Sequence, residues 1–202
     1  MTTLTTIPLD GGAIELRLDS PDGLNRLSLE LLEKIAAASA RNPQAGRFVL
    51  TGNARCFSAG ADLAVITVLD GPAAYRFAHR GQAALNAIER SPVPFVAAIE
   101  GACLGGGLDL ALACHARICG PQAYFGHHGA RLGLVTGWGG TQRLPRLIGS
   151  ARTLAHLLAA EGWTADAALA AGLVAGVCPP AALLNAAVSA PLPRISPSCD
   201  RD

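Results

Sequence analysis

Two glycine-rich segments are the parts of this sequence whose residue types and spacing could support chemistry. The first runs from Cys56 to Leu63 and the second from Gly101 to Leu110, and each follows an apolar run typical of a buried strand. Three consecutive glycines, Gly105–Gly107, open an apolar helix in the second segment. Glycine lets a backbone approach a ligand closely, and the first turn of a helix offers N–H groups without an intrahelical acceptor. A tight turn also explains three glycines, but two such loops favour an anion site.

Three titratable side chains, one in the second segment and two in a later loop, could take part in proton transfer. Asp109 is the one acid in the apolar helix after the triple glycine. Burial there would disfavour the charged carboxylate and raise its pKa, which suits proton transfer. The alternative is a purely structural aspartate near the start of a helix, stabilised by the helix dipole. His127 and His128 lie in a later glycine-rich loop, where they are either surface residues or groups that titrate near neutral pH.

Strand and helix patterns alternate along the chain, which predicts an α/β fold. Residues 13–18 alternate apolar and charged side chains as a half-buried strand does, and Ser28 is predicted to cap a helix that reaches about Ala40. Further predicted strands and helices cover residues 48–51, 73–90, 93–99, 108–114, 116–119 and 151–160, and Thr164 is predicted to cap one more helix. Residues 124–140 are predicted to be rich in loops.

The composition excludes several classes of protein. Half of the 202 residues are hydrophobic and 15% are charged, which indicates a packed fold. A net charge of +1 and no basic stripe argue against a nucleic-acid binder, and no Gly-Lys-Ser/Thr occurs, which excludes a P-loop. The six cysteines form no Cys-x-x-Cys pair, so neither a metal site nor a disulfide framework is predicted. With no signal-peptide pattern and no membrane span, we expect a cytoplasmic protein.

The domain organisation is predicted to be one core over residues 1–180. Residues 181–202 are predicted to be a shortened C-terminal segment that is partly disordered, because prolines, serines and charges dominate its end.

Four segments in order resemble the signatures of the crotonase family, which contains the enoyl-CoA hydratases and isomerases. They are VLTGNARCFSAGADL, SPVPFVAAIEGACLGGGLDLALACHARIC, LGLVTGWGGTQRLPRLIG and AALAAGLVAGVCPP. The resemblance covers about residues 13–180. It implies a spiral of ββα units that binds an acyl thioester of coenzyme A as substrate, without a prosthetic group, and a homo-oligomer built from trimers.

The resemblance also implies roles for particular residues. Two backbone N–H groups hold the thioester oxygen as an enolate forms, and matching the motifs puts these donors at Ala59 and Gly106. Asp109 takes the place of the first catalytic glutamate of the hydratases. The loop residues Ala59, Gly60, Ala61, Asp62 and Leu63 are expected to contact the substrate.

The sequence departs from the family pattern at the second glutamate, where it has Gly129. Ordinary hydration is therefore expected to be weak, and three alternatives stay open. Asp109 alone could shuttle one proton in an isomerisation. His127 or His128 could act as the base, and His128 is our assignment. A small anion such as bicarbonate could instead occupy the space at Gly129, as in the naphthoate synthases of this family, and assist carbon–carbon bond chemistry.

At two positions where the family resemblance implies a basic residue for the coenzyme A phosphates, this sequence has Asp22 and Ala64. A thioester of acyl-carrier protein is therefore an alternative substrate. A non-catalytic binding or scaffold protein is the alternative function, favoured by Gly129 and the short C-terminus. A dinucleotide-binding oxidoreductase is disfavoured, because the glycines lack the Gly-x-Gly-x-x-Gly spacing.

Overall fold

The computed structural model describes residues 1–192. The strands are β1 Thr3–Pro8, β2 Ala13–Asp19, β3 Arg26–Leu27, β4 Arg47–Thr51, β5 Cys56–Ser58, β6 Gly60–Ala61, β7 Phe95–Ile99, β8 Ala102–Leu104, β9 Ala116–Cys119, β10 Tyr124–Gly126, β11 Gly162–Thr164 and β12 Gly176–Val177. The α-helices are α1 Leu29–Ala36, α2 Ala38–Arg41, α3 Leu63–Ile66, α4 Gly71–Glu89, α5 Gly106–Ala113, α6 Gly140–Ile148, α7 Ser150–Ala159, α8 Ala165–Ala170 and α9 Pro180–Ser189.

The strands form a spiral of repeated ββα units, which confirms the predicted fold. The larger sheet has the order β1-β2-β4-β7-β9-β12, and all its pairs are parallel except β1 with β2. A second sheet has the order β11-β10-β8-β5. In each unit the first strand joins the larger sheet, the second joins the smaller sheet, and a helix follows: β4-β5-α4, then β7-β8-α5, then β9-β10-α6. The loops after the second strands therefore collect at one edge of the smaller sheet.

The central strands β4 and β7 of the larger sheet are buried on both faces, as their apolar runs predict. Phe48 and Phe95 stack with ring centroids 4.8 Å apart in the core that also contains Leu16 and Ile99. The side chain of Val49 points the other way, as the period of two requires.

Helix α9 covers that second face. Leu183 and Ala187 pack against Val49 and Val96, and the Arg47 guanidinium donates to the carbonyls of Ala187 and Ala190 at 3.1 and 2.9 Å. Residues 180–189 are thus helical and packed on the core, although the sequence predicts a separate segment from residue 181. The part of the predicted disordered tail beyond residue 192 lies outside the described residues.

The local predictions succeed where a pattern is strong. Ser28 caps α1 by accepting from the Leu31 N–H at 3.2 Å, and Thr164 caps α8. Local sequence patterns do not predict β1, the short strand β8 within the second glycine segment, or α6, which contains Pro145. Over residues 1–192, no helix is both long and apolar enough to cross a membrane.

Candidate active site

The two glycine segments meet at the N-terminus of α5, as the sequence analysis expects. A Cβ atom on Gly60 would lie 2.6 Å from the Gly106 nitrogen and 2.7 Å from the Leu104 carbonyl oxygen. Gly60 also has a φ of +86°, which L side chains rarely adopt. A Cβ atom on Gly106 would in turn lie 3.3 Å from the Ala61 nitrogen. Glycine at both positions is what brings the two backbones this close.

The assignment of Ala59 as an amide donor is wrong in this structure. The Ala59 N–H already donates to the Leu24 carbonyl at 2.9 Å, so it is not available to a ligand. The amide of Ala61, two residues on, lies beside Gly106 instead, and both residues line the same cavity. Gly106 is the first residue of α5, a position whose N–H has no intrahelical acceptor.

The cavity beside these amides has a volume of about 400 Å³ and a mainly apolar wall. Its lining combines the two glycine segments, α3, the first half of α4 and the segment 127–138. The polar side chains that reach it are Asp109, His127, His128 and Thr136. An apolar chain with one reactive polar end fits such a lining.

Asp109 is buried, and two hydrogen-bonding side chains hold its carboxylate. His127 Nε2 lies 3.2 Å from Asp109 Oδ1, and Thr136 Oγ1 lies 2.9 Å from Oδ1 and 2.8 Å from Oδ2. The Gly140 N–H donates to Thr136 Oγ1 at 3.3 Å, which orients that hydroxyl. The carboxylate therefore has a fixed direction and still lines the cavity.

The two adjacent histidines have different surroundings. His127 is buried and contacts Asp109, whereas His128 places Nδ1 2.8 Å from the carbonyl oxygen of Ala160. Because a carbonyl only accepts, Nδ1 of His128 carries the proton and Nε2 is unprotonated in the neutral ring. Our assignment of His128 as the base stays a prediction, but it is His127 that the structure brings to Asp109.

Gly129 lines the cavity, yet little room exists for a side chain there. A Cβ atom on Gly129 would lie 2.9 Å from the Leu134 carbonyl oxygen, so the backbone would have to shift. A carbonyl oxygen at this point also disfavours a bound anion.

The remaining residues predicted to contact substrate divide into two groups. Ala61 and Leu63 line the cavity, and Leu63 is half exposed. Gly60 is buried behind the cavity wall. The Asp62 carboxylate caps α3 by accepting from the Ala64 N–H at 3.0 Å, and it lies on a neighbouring groove.

This neighbouring groove, of about 520 Å³, shares Phe77 with the cavity and has an acidic rim. The acids are Asp22, Glu30 and Asp62, while Arg26 is paired with Asp22. Hydrogen bonds from the Leu24 N–H and Arg26 lower the pKa of Asp22 to about 2, so it is ionised at neutral pH. The groove therefore lacks the positive field that would attract a polyphosphate.

The buried thiols do not provide a nucleophile. Burial raises the pKa of Cys56 to about 11 and that of Cys114 to about 12, so both stay protonated at neutral pH. Among residues 1–192 no three His, Cys, Asp or Glu side chains are grouped so as to hold a metal ion.

Sequence reasoning missed three side chains of the site. Thr136 and Trp138 lie within the third signature segment, and Phe77 lies on α4. Thr136 could be recognised only from the tertiary structure, where it lies beside Asp109 next to Gly140. A Cβ atom on Gly140 would collide with Asp109 and lie 2.7 Å from the Thr136 hydroxyl.

Together, the ββα spiral and the cavity at the start of α5 define a protein of the crotonase fold. A family model for enoyl-CoA hydratase/isomerase matches residues 9–192, and the chain belongs to this family. Enzymes of the family act on thioesters of coenzyme A.

Solved structures and curated relatives agree with this assignment. Enoyl-CoA hydratase from Bacillus anthracis superimposes with a TM-score of 0.85 at 32% identity, over 92% of this chain and 73% of that one. A similar protein from Geobacillus kaustophilus gives a TM-score of 0.84 at 34% identity, over 90% of this chain and 70% of that one. The fatty acid oxidation complex subunit alpha of Idiomarina loihiensis is 39% identical over 92% of this chain, and that of Shewanella loihica is 39% identical over 94%. The chain spans only 27% and 28% of these two relatives.

Proposed function

We propose that this protein moves a proton at the α-carbon of an acyl-coenzyme A thioester. In this proposal the backbone N–H groups of Ala61 and Gly106 hold the thioester oxygen while it carries the negative charge of the enolate. Asp109 removes the proton. The observation that carries the proposal is the position of Asp109, a buried carboxylate that lines an apolar cavity next to the Gly106 amide.

The hydrogen bonds around Asp109 support a role in proton transfer. His127 and Thr136 both donate to the carboxylate, which fixes its direction toward the cavity. A carboxylate that takes a proton from the α-carbon and returns it to the γ-carbon moves the double bond by one position. Atoms and charge balance, because the proton that leaves one carbon arrives at the other.

Isomerisation of this kind is favoured over hydration. Addition of water in this family uses a second carboxylate, and Gly129 stands at its position. We therefore expect weak hydration. We extend the fatty-acid context of the relatives' names to this chain as part of the same proposal.

Exchange of α-protons with deuterated solvent tests the proposal. The wild-type protein should exchange the α-protons of butyryl-coenzyme A, and Asp109→Asn should slow this exchange by a factor of about 10² to 10⁴. Asp166→Asn, which makes the same chemical change at an exposed position of α8, should leave the rate unchanged. Binding of the thioester without exchange would overturn the proposal and favour a non-catalytic binding protein.

A further inference from the structure

Trp138 fills the space between the candidate oxyanion site and helix α4. It lines the cavity yet is only 3% exposed. A Cβ atom on Gly106 would lie 2.5 Å from Cζ3 of the indole, and one on Gly81 would collide with Nε1 at the opposite end of the ring system. The indole thus reaches from the first residue of α5 to the middle of α4, and glycine on both sides makes room for it.

The tryptophan is held in this position by its neighbours. The Phe77 ring packs on it with centroids 5.3 Å apart. The Trp138 carbonyl accepts from Arg143 Nη1 at 2.9 Å, and Arg143 is buried and paired with Glu89 at 2.9 Å. The preceding carbonyl, of Gly137, accepts from the Gln82 side chain at 2.7 Å. Contacts to α4 and α6 therefore fix both the ring and its backbone.

The position of the indole has a consequence for the substrate. An acyl group whose thioester oxygen lies at Gly106 starts its path against the face or edge of Trp138. The cavity of about 400 Å³ must also receive the reacting end of the pantetheine arm. A closely packed interior does not yield to extra methylene groups without strain.

We propose that Trp138 sets the upper limit on acyl-chain length and makes the protein selective for short acyl groups. This inference rests on the proposed function, because it places the thioester at Gly106. Trp138 determines specificity in this account and takes no part in proton transfer.

Binding of saturated thioesters tests the proposal separately from catalysis. The Kd values of butyryl-coenzyme A and dodecanoyl-coenzyme A are measured for the wild type, Trp138→Phe and Trp138→Ala, together with α-proton exchange for each thioester. The wild type should prefer the butyryl compound. Both variants should shift the ratio of affinities toward the dodecanoyl compound. For Trp138→Ala the shift should be at least about tenfold, because that is the gain in affinity expected from burying two further methylene groups.

Trp163→Phe is the matched control, because Trp163 is the second tryptophan and does not line the cavity. Its ratio should equal that of the wild type. Circular dichroism establishes whether each variant is folded. If Trp138→Ala does not fold, the more conservative Trp138→Phe still tests the proposal.

An unchanged ratio in folded Trp138→Phe, or a wild type that binds the dodecanoyl compound more tightly, would overturn the proposal. Length-dependent binding without exchange would support the role of Trp138 while contradicting the proposed proton transfer. Absence of binding to any of the thioesters would contradict both.

Discussion

At the scale of single residues, the environment of Asp109 explains why one carboxylate can be left in an apolar cavity. A buried charge without partners costs several kcal/mol, and hydrogen bonds to the charged form offset this cost. His127 and Thr136 supply these bonds, at 3.2 and 2.8–2.9 Å. The same bonds that permit burial also aim the carboxylate, so stability and reactivity depend on one network.

A third histidine near this network, His156, is buried without a hydrogen-bonding partner. Neither ring nitrogen has a partner within the described residues, and the ring packs on Trp163 with centroids 4.4 Å apart. Burial, with smaller contributions from His127 and His128, lowers the pKa of His156 below its usual 6.5. The folded protein therefore keeps this ring neutral at a pH where the unfolded chain protonates it.

This pKa shift predicts a loss of stability in acid. Above about pH 6.5 the ring is neutral in both states, and below it the unfolded state binds the extra proton, so the free energy of unfolding should fall as the pH drops. His156→Phe keeps an aromatic ring but cannot titrate, so its unfolding free energy should fall less steeply between about pH 7 and pH 5. Urea unfolding at a series of pH values measures both slopes.

Leu158→Phe, at an exposed position of the same helix, offers the control: it also places a phenyl ring on α7 but removes no titratable group, so it should keep the wild-type slope. Identical slopes for His156→Phe and the wild type would contradict the assignment of a depressed pKa to His156.

At the scale of the elements, the site depends on two backbone segments that approach each other through glycine. The turn at Gly60 brings β6 against the first residue of α5. Any Cβ atom at this point would press on the Gly106 amide and the Leu104 carbonyl. The donor N–H groups thus belong to the backbone of the loops. A side-chain replacement nearby can displace these groups but cannot remove them.

Gly60→Ala should remove most of the activity in a folded protein. The new methyl group would cover the Gly106 N–H, and loss of one oxyanion donor typically slows a reaction by about 10²–10³-fold. Gly11→Ala is the control for backbone strain alone, because Gly11 also has a positive φ, +69°, but has open space around it. Exchange of α-protons by Gly60→Ala at close to the wild-type rate would contradict the role of Gly106.

At this scale, some features of the fold and the site can be predicted from the sequence and others cannot. Buried strands and capped helices follow from local patterns, because apolar runs and Ser28 or Thr164 have the same consequences in any fold. The second glycine segment predicts an amide site at α5 for the same reason. The first segment does not reveal which amide is available, because the contact that occupies Ala59 comes from Leu24, thirty-five residues earlier in the chain. Thr136 and Phe77 were missed on similar grounds, since only the tertiary fold brings them to the cavity.

At the scale of the whole molecule, the larger sheet supports the site from behind. Its inner face packs under the smaller sheet, and its outer face is covered by α9. Leu183 is the large side chain of α9 that is buried on this face. Because β4 and β7 lead directly into the two glycine segments, packing of α9 should stabilise the site as well as the sheet.

Leu183→Ala should lower the free energy of unfolding by about 2–5 kcal/mol, the usual cost of a leucine-sized cavity in a core. Leu158→Ala, the same replacement at a side chain that is 69% exposed on α7, should change it by less than about 0.5 kcal/mol. Urea titration with an unchanged m value measures both. Equal losses in the two variants would show that α9 does not pack as described.

The most direct test of the account is a crystal structure of the protein with butyryl-coenzyme A bound. The thioester oxygen should lie about 2.7–3.1 Å from the backbone nitrogens of both Ala61 and Gly106, with the α-carbon facing the Asp109 carboxylate. A thioester oxygen that contacts neither nitrogen, or an acyl group bound away from Asp109, would contradict it.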